Sequence, residues 1–188
     1  IKDALDRGNM YNVTKAYIAP SSDQYVRQKL GKDAIDLKHR CAMCQIACQE
    51  YNWINVCHYG APSGGQTKYK LIEAGIVDRR TRVFEVGGMD FVQRTGLDRG
   101  YKPFICVGRK GYNSHITSKG DFIVIEKDLE NISSTDIRNC LNKHDFVTPV
   151  QKGWIKLEVM NYLKTLTVTQ IVHTPQLQQL PQQPQRQE

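Results

Sequence analysis

The sequence predicts an α/β fold: a mainly parallel sheet covered by helices on both faces. Three observations carry this expectation. The runs Phe104-Ile105-Cys106-Val107 and Phe122-Ile123-Val124-Ile125 are apolar at every position, as strands buried on both faces are. Between such runs lie segments whose apolar residues recur at helical spacing. The junctions between the two kinds of segment are short and rich in glycine.

Residues 1–8 read as the end of a helix, with Ala4 and Leu5 apolar and Gly8 as its stop. Residues 13–19 read as a strand ended by Pro20. The polar stretch 20–29, with Tyr25, Arg27 and Lys29, reads as a loop at the carboxyl edge of that strand. Ligands bind at that edge of a parallel sheet; a solvated connection is the plain alternative. Residues 37–50 form the strongest helix, with Leu37, Cys41, Met43, Cys44, Ile46, Ala47 and Cys48 on a broad apolar face. Ile54 to Cys57 reads as a short strand, 58–65 as turn-rich loop, and Thr67 to Ala74 as a helix ended by Gly75. Arg82 to Val86 reads as a strand running into Gly87-Gly88-Met89-Asp90. The run Phe104 to Val107 is followed by Gly108-Arg109-Lys110-Gly111. Asp121 to Ile125 is the next strand, and a helix over Asp136 to Lys143 follows it. An amphipathic helix over Trp154 to Leu166 closes the fold. Residues 1–170 thus read as one domain. Residues 171–188 are a Gln/Pro-rich tail with too little apolar content to pack, and disorder is expected there.

With 40% apolar and 24% charged residues, the composition is that of an ordinary globular protein. No apolar run reaches the roughly 18 residues of a membrane-spanning helix, and the first residues lack a signal-peptide layout. A membrane partner is therefore not expected. The chain does not begin with Met, so a missing front end is one of the readings. The net charge of +7 favours anionic partners such as nucleotides. Its lysines and arginines are scattered rather than blocked, which argues against a nucleic-acid groove. Among the six cysteines, Cys41, Cys44 and Cys48 stand three and four apart on one helix face, without the glycine or proline of a zinc turn. They read as small core residues rather than metal ligands. Free thiols of this kind suit the cytoplasm or nucleus.

The most informative stretch is Ile132-Ser133-Ser134-Thr135-Asp136-Ile137-Arg138. Ser133, Ser134 and Thr135 are all candidate N-caps. A helix N-terminus presents unpaired N–H groups and the positive end of the macrodipole, and Arg138 lies one turn in with a permanent planar cation. Such a start is either a phosphate seat or an ordinary capped helix. In other post-strand loops, Gly88 would let a ligand approach the backbone, Asp90 could accept from ribose hydroxyls, and Arg109 would meet phosphate.

The stretch matches the I-S-S-T-x-I-R motif and so resembles the nicotinamide or nicotinate mononucleotide adenylyltransferases of the nucleotidyltransferase superfamily. The order of the other pieces over roughly residues 1–166 is similar too. Pro20-Ser21-Ser22-Asp23-Gln24-Tyr25 with Lys29 resembles the family's first binding loop, and His39-Arg40 its helix-opening pair. Gly88-Met89-Asp90 resembles its Gly-Ala-Asp turn, and Val107-Gly108-Arg109-Lys110-Gly111 its Val-x-Arg-x-Gly. The resemblance implies a Rossmann-like fold and transfer of adenylate from ATP to the mononucleotide, giving the dinucleotide and pyrophosphate. By the same resemblance, Ser133, Ser134, Thr135, Arg138 and Lys29 would hold the ATP phosphates, and Gly88, Asp90 and Arg109 the adenosine. Tyr59 and Tyr25 would hold the mononucleotide, and Mg²⁺ would accompany ATP. The sequence leaves homo-oligomerisation open.

Two features depart from that pattern. The family's G-x-F-x-P-x-H-x-x-H segment has no counterpart, and no H-x-x-H pair occurs among His39, His58, His115, His144 and His173. No catalytic residue is identified as a result. Either a front end with the fold's first strand is missing, or this is a nucleotide-binding or scaffold relative without catalysis. Tyr59-Gly60 also stands where the family often has Trp-Glu.

Overall fold

The computed structural model describes residues 1–7, 11–60, 63–97, 103–112 and 115–172. Gly8, Ala61 and Pro62 lie outside the described residues, as does the tail from residue 173 on. The elements run α1 (Lys2–Arg7), β1 (Ala16–Ile18), α2 (Asp23–Leu30), α3 (Leu37–Cys48), β2 (Ile54–Val56), α4 (Gly64–Glu73) and β3 (Glu85–Gly88). They continue with α5 (Met89–Thr95), β4 (Phe104–Arg109), β5 (Phe122–Leu129), α6 (Ser134–Asn142), α7 (Thr148–Gln151) and α8 (Leu157–Val172). The fold class is α/β, and the named strands pair in parallel throughout.

The strands form two sheets rather than a continuous one. β1 pairs with β2, and β3-β4-β5 form the second sheet, with β4 central. Among the described residues, β1 and β3 are therefore each bonded on one side only. The central strand is where the apolar runs lead. Phe104, Ile105, Cys106 and Val107 are all buried. Their side chains alternate between two cores, as the period of two demands. On one face Ile105 and Val107 join Ile123, Ile125 and Leu5 of α1. On the other, Phe104 and Cys106 join Phe122 with Met89 and Val92 of α5. Helices thus cover both faces of this sheet. Val86 lies in register with Ile105, itself in register with Ile123, yet Val86 is 55% exposed at the β3 edge.

Several element bounds differ from the sequence expectation. Residues 20–29 are not all loop. Ser22 Oγ accepts from the Tyr25 amide and caps α2, which carries Tyr25 and Lys29 on a helix. Few apolar positions mark α2, because none of its residues is buried. β1 is shorter than 13–19, since its ladder to β2 spans only Ala16 to Ile18, and the Val13 carbonyl accepts from Lys2 Nζ at 2.9 Å. β3 begins at Glu85 and takes in Gly87 and Gly88, which pair with Cys106 and Val107 rather than turning. β4 likewise includes Gly108 and Arg109. α8 runs Leu157–Val172 rather than 154–166, with Gly153 in the left-handed region before it. Its Val159, Met160 and Leu163 are buried, and α8 packs on α3. α3 starts at Leu37 as read but ends at Cys48 rather than at residue 50, with Cys41 buried and Cys44 and Cys48 half-buried. None of the six cysteines is in a disulfide. No helix among the described residues is long and apolar enough to cross a membrane.

Candidate functional site

The helix start at α6 is built by a capping box. Ser133 Oγ accepts from the Asp136 amide at 3.3 Å, and Asp136 Oδ2 accepts in return from the Ser133 amide at 2.7 Å. The Ser133 hydroxyl also donates to Asp136 Oδ2 at 2.7 Å. Ser133 is therefore the N-cap, and the helix starts at Ser134, two residues before the expected Asp136. The Ser133 side chain is occupied by the cap. Ser134 and Thr135 stand in the first turn with amides pointing out of the helix end. Their hydroxyls accept from Arg138, Nη1 to Ser134 Oγ at 3.2 Å and Nη2 to Thr135 Oγ1 at 2.9 Å. Two hydroxyls, a guanidinium and the first amides of a helix thus share one exposed end, which is a donor set for phosphate oxygens.

The capping carboxylate was not singled out in the sequence, although a serine followed by an acid at the third position after it is a signal for such a box. The Ser133 hydroxyl, and then its amide, hold the Asp136 carboxyl below its ordinary value of 3.8. A carboxylate with a depressed folded-state pKa stabilises above its unfolded value and loses that contribution as pH falls through the folded one. Asp136→Asn should therefore flatten the stability loss that wild type suffers as pH falls below about 5. Thermal melts of both proteins across that acid range, followed by far-ultraviolet circular dichroism, check it; parallel acid limbs would contradict the box.

Three other named residues converge on the same sheet end. Gly88 is the N-cap of α5 and Asp90 lies in its first turn. A Cβ at Gly88 would stand 2.5 Å from Asp90 Oδ1, so glycine there leaves room for the carboxylate to fold back. Arg109 Nη1 reaches Asp90 Oδ1 at 3.4 Å, and Nη2 donates to the carbonyl of Ile132, next to the Ser133 cap. Gly88, Asp90, Arg109 and the α6 start are thus neighbours at the carboxyl ends of β3, β4 and β5.

Tyr25 and Lys29, on α2, and Tyr59, in the loop after β2, follow the strands of the other sheet. Tyr25 is 49% and Tyr59 38% exposed. Their segments meet behind the β1 and β2 ends, where a Cβ at Gly60 would stand 3.3 Å from Ser22 Cα. Lys70 Nζ donates to the Tyr59 carbonyl at 3.4 Å and lies 5.9 Å from its ring centroid. Lys29 is an exposed cation in the last turn of α2. Among the described residues, no side-chain hydrogen bond or ion pair joins these three to the α6 start.

The His-Arg pair at the α3 start does structural work. His39 Nδ1 is 2.9 Å from the Tyr162 hydroxyl of α8. Arg40 donates to the Ser21 and Ile35 carbonyls and to Asp23 Oδ1, at 2.6, 2.7 and 2.8 Å. The same Asp23 oxygen accepts from the Leu37 amide at 2.6 Å. This network fixes the loop after β1, and its members are far apart in sequence, so no local pattern announces it. His58 is paired with Gln45 at 3.2 Å.

A family model described as cytidylyltransferase-like matches residues 10–140, from before β1 into α6. No curated protein matches the chain. The matched span contains both sheets and the Ser133–Arg138 start, and covers more than half of the sequence. With its parallel α/β sheets and a family model matched over residues 10–140, the chain belongs to the cytidylyltransferase-like family, whose chemistry is nucleotidyl transfer.

Proposed function

We propose that this chain transfers adenylate from ATP to nicotinamide or nicotinate mononucleotide, forming the dinucleotide and pyrophosphate. The observation that carries the reading is the Arg138 guanidinium drawn across the Ser134 and Thr135 hydroxyls at the capped α6 start. In this reading those three groups hold the β- and γ-phosphates of ATP, and Lys29 adds a further cation. Asp90 accepts from the adenosine ribose, with Gly88 allowing the backbone close approach. Tyr59 stacks on the pyridine ring, with Tyr25 beside the mononucleotide. The mononucleotide phosphate oxygen attacks the α-phosphorus in line, and the bond to the β-phosphate oxygen breaks as pyrophosphate leaves. The chain's residues contribute by orienting the two nucleotides and neutralising phosphate charge, with no covalent intermediate. Hydroxyl and guanidinium donors suit phosphate oxygens rather than a cation, so Mg²⁺ would enter on the triphosphate itself.

One observation favours a second reading, nucleotide binding without catalysis. His39 is engaged with Tyr162 and His58 with Gln45, and no H-x-x-H pair exists in the sequence. Titration calorimetry with Mg·ATP tests the shared part. Arg138→Ala should weaken binding about tenfold to a hundredfold, as loss of hydrogen bonds to a charged partner does. Equal affinity of the two proteins would remove the phosphates from α6. Pyrophosphate release from ATP with either mononucleotide then separates the readings: release favours transfer, and tight binding without release favours the silent relative.

A further inference from the structure

Arg109 ends β4 with only 23% of its side chain exposed. Its guanidinium spans two neighbouring junctions. Nη2 donates to the Ile132 carbonyl, between β5 and the α6 cap, and Nη1 faces Asp90 in the first turn of α5. The connection from β5 to α6 is only Glu130 to Ser133. Its start is tied by the Lys110 amide, which donates to the Leu129 carbonyl at 2.9 Å. Its end is tied by Arg109. The Ile132 amide itself donates back to Glu130 at 2.9 Å, which makes the connection a tight turn. The carbonyl held by Arg109 therefore belongs to the peptide that joins Ile132 to the Ser133 cap. Its direction sets where α6 begins and which way Ser134, Thr135 and Arg138 face. A guanidinium satisfied on two sides by the protein has correspondingly less to offer a nucleoside.

We propose that Arg109 is a positioning residue: it straps the Ile132 peptide to the ends of β4 and α5, and its effect on ligand binding passes through α6. The ligand part of this inference rests on the phosphate reading of α6; the strap does not. Hydrogen exchange reads the strap directly. In Arg109→Met, the hydrogen-bonded amides of Ser133, Asp136 and Ile137 should exchange about tenfold faster than in wild type, with β4 and β5 core amides unchanged. Unchanged α6 exchange in the folded variant overturns the proposal. If Arg109→Met does not fold, Arg109→Gln takes its place, because its shorter side chain with a single donor nitrogen cannot span both acceptors.

Binding of inorganic tripolyphosphate, which has no nucleoside, gives the second readout. A positioning role predicts that Arg109→Met weakens tripolyphosphate and Mg·ATP by the same factor, about tenfold. It also predicts that Arg109→Met and Arg138→Ala together weaken binding by less than the product of their separate factors, since both act on one unit. Weakening confined to ATP means that Arg109 touches the nucleoside, and overturns the proposal. Wild-type protein that binds neither ligand counts against the phosphate reading alone, and the exchange rates then decide the strap.

Discussion

Phe104→Ala should lower stability by about 3–5 kcal/mol. Phe104 is 2% exposed in the central strand of the three-stranded sheet. Its ring stacks on Phe122 with centroids 5.9 Å apart and lies 6.4 Å from Phe91. Truncation removes the burial of a whole ring and leaves a void between α5 and the sheet. Strands at both sides of β4 limit how far the void can collapse, so the upper half of the range is expected. For a chain of this size each kcal/mol moves the melting temperature by about 2–4 °C, giving a drop on the order of 10–15 °C. Melts followed by circular dichroism measure it. A drop of only a few degrees would mean that α5 packs loosely on this face.

Gly108→Val should cost about 3 kcal/mol, the top of the range for overpacking. A Cβ at Gly108 would stand 2.5 Å from the Lys127 carbonyl oxygen and 3.1 Å from the Lys127 amide nitrogen. Those are backbone atoms of the neighbouring strand, so neither can rotate away. The ladder between β4 and β5 already shifts register between Val107 and Arg109, and a side chain there would force the strands further apart. The same displacement moves Arg109, the next residue, away from Ile132. Gly108→Val should therefore weaken Mg·ATP binding as well as lower the melting temperature, whereas Phe104→Ala, once refolded at low temperature, should affect binding far less. Denaturant titration paired with calorimetry on the two variants checks the contrast.

Much of the second sheet was legible in the sequence because its signals are local. A short run such as Phe104 to Val107, between Pro103 and Gly108, reads as a strand buried on both sides, and it is one. The serine cluster before Ile137 announced a helix start, and only the choice of Ser133 among three caps needed the structure. What was not legible is what depends on distant partners. The division into two sheets rests on which strands pair, and the spacing of apolar residues does not encode pairing. α2 was missed because its stability comes from the Ser22 cap and from Asp23, which meets Arg40 and the Leu37 amide, rather than from an apolar face. At the candidate site, residue types were legible but their company was not. Arg109 looks in sequence like a lone cation after a strand; in the fold it is a brace between Asp90 and Ile132. Tyr25 and Lys29 stand on α2 after β1, and Tyr59 in the loop after β2, so their place relative to Arg138 depends on strand pairing that local sequence does not encode.

The division of the strands also gives the molecule two internal clocks. Cys106 is fully buried in β4, whereas Cys41 and Cys57 are buried where α3 meets the end of β2. An alkylating reagent reaches each thiol only when its own surroundings open. Residue-resolved labelling by mass spectrometry therefore times the breathing of the two sheets separately, with no engineered probe. A common rate for Cys41, Cys57 and Cys106 means the sheets open as one cooperative unit, and two rates mean that each keeps its own time.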